Sequence, residues 1–443
     1  MTLSQPLCGK TPIAVLTGHG EFNLDAAIPL EANIIELYID ATSVNEQFDE
    51  AVFCFTDDTA SAIRNGGVPT PSAGAAAVLS AFRKRMRSRR ETPVSGTEAT
   101  LNGAFMDNID ADFLAGLLNR DRPEFFCAYM KGNRFKDLRF HIRPFGGVPQ
   151  LLSPEEVALI NYSPRGMKEG IWYLAHRKLE YENGSANSLE DPRVVDVKHY
   201  KIDANIASNR HLSATAEIFF EALHNGTRVV KFGLVPSLRV TDVTFEDAPA
   251  HFVQTGEEKD SGFYVILPLV LTKGREYRLV VNYSGDKVIR TAGGGNLSVG
   301  ARSSWYPSIG SFVDRATYEL NFSYPKRFVL VSVGNRVDEG VSGKTAHSSW
   351  RSDVELKVAG FNLGDFKRMA IEDETTGMVY EGYATKRPPA PLSQMVMSPT
   401  PMMKAAVFKS LSPGDGATGQ VHSVLATVSG SDSRDEPVRF QDQ

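Results

Sequence analysis

The sequence predicts a mainly β protein, in which an α+β region is followed by a curved antiparallel β domain. Two observations carry this prediction. From Ala316 to Tyr324 every even position is apolar and every odd position between them is polar, which is the period of a strand with one buried face. From about residue 193 onward, short runs of strand-forming residues alternate with turn signals such as Asn225-Gly226 and Lys273-Gly274. Many short strands with turns between them indicate a β-sandwich or a saddle-like curved sheet.

Residues 1–190 mix both kinds of pattern and are predicted to form an α+β region. Residues 13–25 are predicted to form a hairpin that turns at Gly18–Gly20. A helix is expected after a cap at Thr56 or Asp57, and another after Ser153, which makes a capping box with Glu156. The remaining predicted elements are strands at 50–55, 124–132 and 137–146 and helices at 78–90 and 110–121.

The β-rich region is predicted to span residues 193–386. Its strands are expected at 194–206, 213–223, 227–234, 238–246, 263–271, 275–285, 316–324 and 328–333, and again between 352 and 385. After Lys386 the composition changes to Pro, Met, Gly, Ser and Asp. Such a composition is typical of disorder, so residues 388–443 are predicted to be a mostly disordered tail.

Length and composition limit the possible classes of protein. The chain has 443 residues, of which 42% are hydrophobic and 23% charged, with a net charge of -5. These values are ordinary for a globular protein of two or three domains and give no reason to expect nucleic acid as a partner. Cys8, Cys54 and Cys127 form no C-x-x-C pair and are predicted to be buried small apolar residues. No membrane-length apolar run and no signal peptide are visible, so localisation is not assigned.

No motif in the chain indicates a catalytic centre. None of the nine histidines lies in an H-E-x-x-H or H-x-H arrangement, which would suggest a metal. The segment 340–345 resembles a phosphate loop, but Asp338 stands where its first glycine is required, so a turn is predicted. Residues 293–296 are predicted to be a hairpin loop, and the basic run 83–90 a solvated helix face.

Five segments of the β-rich region, in order, resemble the N-terminal saddle-shaped β domain of zinc aminopeptidases of the alanyl aminopeptidase (gluzincin) family. They are 199–206, 213–223, 267–285, 305–334 and 358–366. Residues 55–60, "FTDDTA", are similar to the extra N-terminal segment of large bacterial members. The resemblance implies a metallopeptidase-related protein, of which this chain is the non-catalytic N-terminal part. It is expected to be a fragment.

The resemblance implies a scaffold and lid for a zinc peptidase domain that this chain does not carry. The chain alone is expected to be inactive and to hold no cofactor, whereas zinc is expected in a full-length relative. Its expected partners are the missing catalytic domain in cis and a peptide substrate, with no nucleic acid and no membrane span. The alternative is a stand-alone β module that binds extended peptides or glycans.

The resemblance also suggests where a substrate would be contacted. In the family, a Gln or Glu two residues after the proline of the fourth segment binds the amino terminus of the substrate. Counting from Pro307, that position holds Ile309, which cannot accept a hydrogen bond. Trp305 and Tyr306 would be the neighbouring substrate contacts, and core packing is the other interpretation of these two residues.

Overall fold

The computed structural model describes most of the chain up to residue 385. The described residues are 1–6, 11–67, 74–91, 109–119, 125–143, 146, 154–162, 170–191, 193–254, 262–293, 295–299, 304–309, 314–372 and 379–385. The predicted tail at 388–443 and Cys8 lie outside these residues. No helix within them is long and apolar enough to cross a membrane.

The first region contains one seven-stranded antiparallel sheet in which each strand pairs with the next along the chain. Strands that follow one another in a chain commonly lie next to each other in the sheet. The strands are β1 (Thr2–Leu3), β2 (Ile13–Asp25), β3 (Ser43–Phe55), β4 (Phe126–Gly132), β5 (Leu138–Ile142), β6 (Val157–Asn161) and β7 (Gly170–Ala175). The helices are α1 (Pro29–Ile39), α2 (Thr59–Gly66), α3 (Ala75–Glu91), α4 (Ile109–Leu118) and α5 (Lys178–Asn183).

The predicted hairpin at residues 13–25 is wrong. This segment is the single strand β2, which pairs with β3 along its whole length. The register shifts between Thr17 and Gly20, and Gly18 has φ +126°. The glycines therefore form a bulge inside one strand instead of a turn between two.

The helix predicted after Ser153 is also wrong. Ser153 lies outside the described residues, and Val157–Asn161 forms β6, with all five residues buried between β5 and β7. Burial on both faces of a central strand outweighs the local capping signal. The helix predicted near Asp57 is confirmed as α2, but Asp58 occupies its N-cap position. Thr56 is buried instead, and its hydroxyl accepts the N–H of Phe125 at 2.9 Å.

Other predictions for the first region are confirmed. The strands at 124–132 and 137–146 correspond to β4 and β5, and the helices at 78–90 and 110–121 to α3 and α4. Cys54 and Cys127 are buried opposite each other on β3 and β4. In the basic run, Arg83 and Lys84 are exposed on α3, as predicted. Sequence reasoning missed α1, β7 and α5.

The β-rich region forms four further open sheets, so the predicted mainly β fold is confirmed. The largest has eight strands in the order β12-β11-β15-β9-β8-β18-β21-β20, and the others are β10-β14-β13, β16-β17-β22-β19 and β23-β24. The strands are β8 (Val195–Ile206), β9 (Leu212–Ala222), β10 (Val229–Gly233), β11 (Leu238–Phe245), β12 (Ala248–Pro249), β13 (His251–Val253), β14 (Gly262–Ile266), β15 (Glu276–Gly285), β16 (Arg290–Gly293), β17 (Asn296–Val299), β18 (Thr317–Pro325), β19 (Val329–Ser332), β20 (Asn335–Ser342), β21 (Thr345–Arg351), β22 (Phe361–Gly364), β23 (Phe366–Glu372) and β24 (Val379–Thr385). The turn at 340–345 and the hairpin loop at 293–296 are confirmed, since they join β20 to β21 and β16 to β17.

One pairing departs from the predicted antiparallel arrangement. β18 lies parallel to β8, with Leu320 opposite Ile202, whereas the other pairs among the described strands are antiparallel. The strands β9 to β17 separate the two partners in the chain. A pairing across so many intervening strands leaves no local pattern in the sequence.

The inner faces of these sheets share one hydrophobic core. β18 shows how the sequence builds it, because Tyr318, Leu320, Phe322 and Tyr324 are buried and the residues between them are half-buried on the other face. The period-two prediction is therefore confirmed.

The two regions touch through α4. Ala111 and Ala115 pack with Val229 and Tyr264, and the side-chain oxygen of Asn119 accepts the N–H groups of Arg228 and Val229 at 2.8 and 3.0 Å. The domain boundaries at 190, 193, 386 and 388 stay predictions.

Candidate functional site

The outward face of the eight-stranded sheet carries polar side chains in rows that cross the strands. Side chains alternate between the two faces of a strand, and facing residues on neighbouring strands therefore line up. Three adjacent rows cross β15, β9, β8, β18 and β21. We name them the charged row (Glu217, Lys201, Glu319 and Arg351, with Val280 at its position on β15), the bonded row (Asn282, Thr215, Asp203, Asn321 and Ser349) and the open row (Ser284, Ser213, Asn205, Ser323 and His347).

The charged row neutralises itself. Glu217 lies 3.0 Å from the Arg278 guanidinium and 3.8 Å from Lys201 Nζ. Glu319 lies 3.6 Å from Arg351. Since the acidic and basic groups are matched within the row, it offers little net charge to a ligand.

Four of the five members of the bonded row hydrogen-bond to each other, and Ser349 makes no side-chain hydrogen bond to a described residue. Asn321 Nδ2 donates to Asp203 Oδ1 at 2.8 Å, and Thr215 Oγ1 donates to Asn282 Oδ1 at 2.6 Å. These bonds fix the side chains and leave fewer donors and acceptors for a partner.

The open row differs from both. No described residue hydrogen-bonds to the side chains of Asn205, Ser213, Ser284 or Ser323. At the end of the row, His347 Nε2 lies 3.3 Å from Asp338. The imidazole covers Gly340, where an added Cβ would lie only 2.5 Å from the ring. A row of amide and hydroxyl groups without protein partners can hydrogen-bond to a ligand.

The bonded and open rows line an open cavity of about 580 Å³. Tyr283 and Phe322 border it but are themselves buried. The polar lining contains one carboxylate, Asp203, and one imidazole, His347. No described serine of the cavity is hydrogen-bonded to His347, so the arrangement provides no activated nucleophile. The cavity is suited to binding a polar, uncharged ligand.

The three residues predicted to contact substrate lie inside the β core. Trp305, Tyr306 and Ile309 are 0%, 3% and 7% exposed. Trp305 Nε1 donates to the carbonyl oxygen of Ala359 at 2.9 Å, and the hydroxyls of Tyr306 and Tyr318 lie 3.0 Å apart. Their burial favours core packing, while their role as substrate contacts stays a prediction.

A partly buried ion pair next to these residues was missed by sequence reasoning. Arg193 Nη1 donates to Asp314 Oδ1 at 2.5 Å, across 121 positions of the chain. Burial raises the pKa of Asp314 to about 7, and the guanidinium of Arg193 opposes this rise. The pair joins the chain before β8 to the chain before β18, so it holds the two parallel strands together. No sequence signal connects residues this far apart.

Comparison with known proteins gives structural resemblance only. No family model matches the sequence, and no curated protein matches it. The crystal structure of an M1 zinc metallopeptidase from Deinococcus radiodurans is similar at 18% identity, over 45% of this chain and 49% of that chain, with a TM-score of 0.39. A variant of a two-domain M1 zinc metallopeptidase bound to L-arginine is similar at 18% identity, over 46% and 50%, with a TM-score of 0.40. The chain therefore spans about half the length of the structures it matches, and similarity this weak does not establish a shared fold or activity.

Proposed function

We propose that this chain is a non-catalytic scaffold whose eight-stranded sheet binds another polypeptide on its outward face. The single observation that carries the proposal is the open row, whose amide and hydroxyl groups have no partner among the described residues. Main-chain N–H and C=O groups of a polypeptide can supply such partners. Since the charged row is neutralised internally, a polar and uncharged segment is the ligand that fits the cavity.

We further propose that the bound polypeptide is a zinc peptidase domain that follows in the same protein. The chain then serves as its scaffold and lid, is inactive by itself, and carries no catalytic zinc. The five segments between residues 199 and 366 that resemble the aminopeptidase family support this form. The structural similarities are too weak to add to that support.

A second candidate is a stand-alone module that binds extended peptides or glycans. The cavity of about 580 Å³ favours it, because this volume lies within the range of small-ligand sites. Its described outward-facing side chains include no Phe, Tyr or Trp ring that could stack on a sugar. Peptides are therefore favoured over glycans.

The test fills the cavity without disturbing the core. Ser284→Arg on β15 places a long charged side chain in the open row, and Glu276→Arg at the exposed start of the same strand is the matched control. Both are surface changes, with an expected effect on stability within about 0.5 kcal/mol. The full chain and both variants are applied to peptide and glycan arrays.

Binding to polar peptides that Ser284→Arg removes and Glu276→Arg keeps would support the proposal. Glycan binding with the same variant pattern would select the second candidate. The gene downstream of residue 443 should also be sequenced, and an H-E-x-x-H domain encoded there should bind this chain when the two are expressed separately. Failure to bind on both arrays, together with no such domain, would rule out the polypeptide-docking role.

A further inference from the structure

We propose that Glu156, His176 and Glu180 form a binding site for one divalent transition-metal ion. The site lies on the first sheet and is independent of the function proposed above. Glu156 directly precedes β6, and His176 directly follows β7, whose Ala175 pairs with Val157. Glu180 lies in α5, four residues after His176. The ends of two neighbouring strands and the following helix thus bring the three side chains together.

The distances fit coordination of a metal ion. His176 Nδ1 lies 3.3 Å from Glu156 Oε2 and 3.3 Å from Glu180 Oε2. One ligand atom from each of the three residues falls within 4.8 Å of the other two. Ligands about 2.0–2.1 Å from a tetrahedral zinc ion are separated from each other by about 3.3–3.4 Å. The two distances from His176 Nδ1 therefore match the edges of a coordination tetrahedron, and the two carboxylates lie within 4.8 Å of each other.

A simple ion triad accounts for these distances less well. Charge-assisted hydrogen bonds between a cationic nitrogen and a carboxylate are usually about 2.7–2.9 Å long, and both contacts exceed this range. Two carboxylates beside one buried imidazole repel each other, and a divalent cation would offset that repulsion.

The contacts of Tyr181 position the helix that carries Glu180. His176 is 3% exposed, and its Nε2 has no hydrogen-bond partner among the described residues. The hydrogen bonding of the ring to the described residues therefore involves Nδ1 alone. The Tyr181 hydroxyl accepts the main-chain N–H of His176 at 3.2 Å and donates to Glu31 Oε1 at 2.5 Å. These bonds hold α5 against the end of β7 and so position Glu180.

The ligand set selects the class of metal. An imidazole nitrogen favours zinc, copper, iron or nickel, and carboxylates accept these ions as well as manganese. The two carboxylates balance the charge of a divalent cation. The Glu180 side chain is 28% exposed, so water can reach the remaining coordination position from that side.

This inference departs from the sequence-based expectation that the chain holds no metal. Glu156 and His176 are twenty residues apart in the chain, so their proximity is a product of strand pairing and not of a compact motif. The proposed ion is bound by the first sheet and is not the catalytic zinc of a peptidase.

The test uses Co²⁺ as a spectroscopic probe of the full chain. We expect one equivalent of Co²⁺ to bind with visible d–d absorption, and Zn²⁺ to displace it. His176→Asn should abolish Co²⁺ binding, but it changes a buried residue and can also impair folding. The second variant is therefore Glu180→Gln, on the partly exposed helix. Glu182→Gln is the control, since Glu182 lies on the same helix and pairs with Lys178.

Loss of at least about tenfold in Co²⁺ affinity in Glu180→Gln, with Glu182→Gln unchanged, would support the site. The absence of saturable Co²⁺ absorption in the wild-type chain would overturn it. Equal binding by wild type and Glu180→Gln would overturn it as well, because the ion would then be held elsewhere. Neither outcome bears on peptide binding by the eight-stranded sheet.

Discussion

Truncating side chains along β18 should change the free energy of unfolding alternately with position. Leu320 is 0% exposed and Phe322 is 3% exposed in the β core. Asn321 and Glu319 point to the outward face, where they make only an exposed hydrogen bond to Asp203 and a 3.6 Å ion pair with Arg351. Neighbouring residues on a strand face opposite sides, so the effects must alternate.

The magnitudes follow from what each side chain contacts. Leu320→Ala should destabilise the protein by about 2–5 kcal/mol through lost burial and the remaining cavity. Phe322→Ala should destabilise the protein by about 3–5 kcal/mol. The ring of Phe322 packs on Phe361 and on Trp305, with centroid distances of 5.0 Å and 6.2 Å. Asn321→Ala and Glu319→Ala should each change stability by less than about 0.5 kcal/mol.

Urea unfolding provides the assay, with far-UV circular dichroism reporting on both regions. Two of the three tryptophans, Trp305 and Trp350, lie in the β core, so their fluorescence follows the relevant transition. The midpoint should shift with little change in the denaturant slope. A flat response across residues 319–322 would refute the reasoning, since it would mean that both faces are equally buried or that the strand is absent.

Three further predictions concern activity, pH and a close backbone contact. The chain alone should not hydrolyse aminoacyl anilides; turnover that a chelator removes would contradict this. Burial lowers the pKa of His199, so the unfolded state binds a proton at a higher pH than the folded state does. The free energy of unfolding should therefore fall as the pH drops through about 6.5. In unfolding experiments at different pH values, His199→Gln should reduce that fall. Gly285→Ala would place a Cβ 1.9 Å from the carbonyl oxygen of Ser237, and it should destabilise the protein by roughly 1–3 kcal/mol or more. A melting temperature equal to that of Ser284→Ala would argue against this close contact.

The strands of the second region could be predicted because their signal is local. β9, β15 and β18 alternate buried and outward residues over nine residues or more, and β8 does so over eight residues after a bulge near Val197. An alternation of this length is specific for a strand with one buried face. In the first region, β6 is buried on both faces and carries no alternation. The local sequence pattern at Ser153 and Glu156 therefore favoured a helix start over a strand. This prediction was wrong because burial of β6 in the sheet outweighs the capping signal.

The sites could not be predicted in the same way, because they depend on which strands are neighbours. The open row joins residues of five strands, and its order includes the parallel pairing of β8 and β18. The Glu156–His176 contact follows from the pairing of β6 and β7. Period two indicates which side chains share a face of one strand, but only the sheet order shows which side chains meet across strands.

The cavity on the outward face is a consequence of side-chain size. In the charged row, Glu217, Lys201 and Arg351 extend over the sheet and pair with neighbours. In the open row, Ser213, Ser284 and Ser323 stand at equivalent outward positions and leave space above the same backbone. Small hydroxyls exposed to water need no protein partner, so the fold does not depend on their identity. Replacing one of them by a long side chain should therefore remove the cavity while the core is kept, which is why binding and stability can be measured separately on this face.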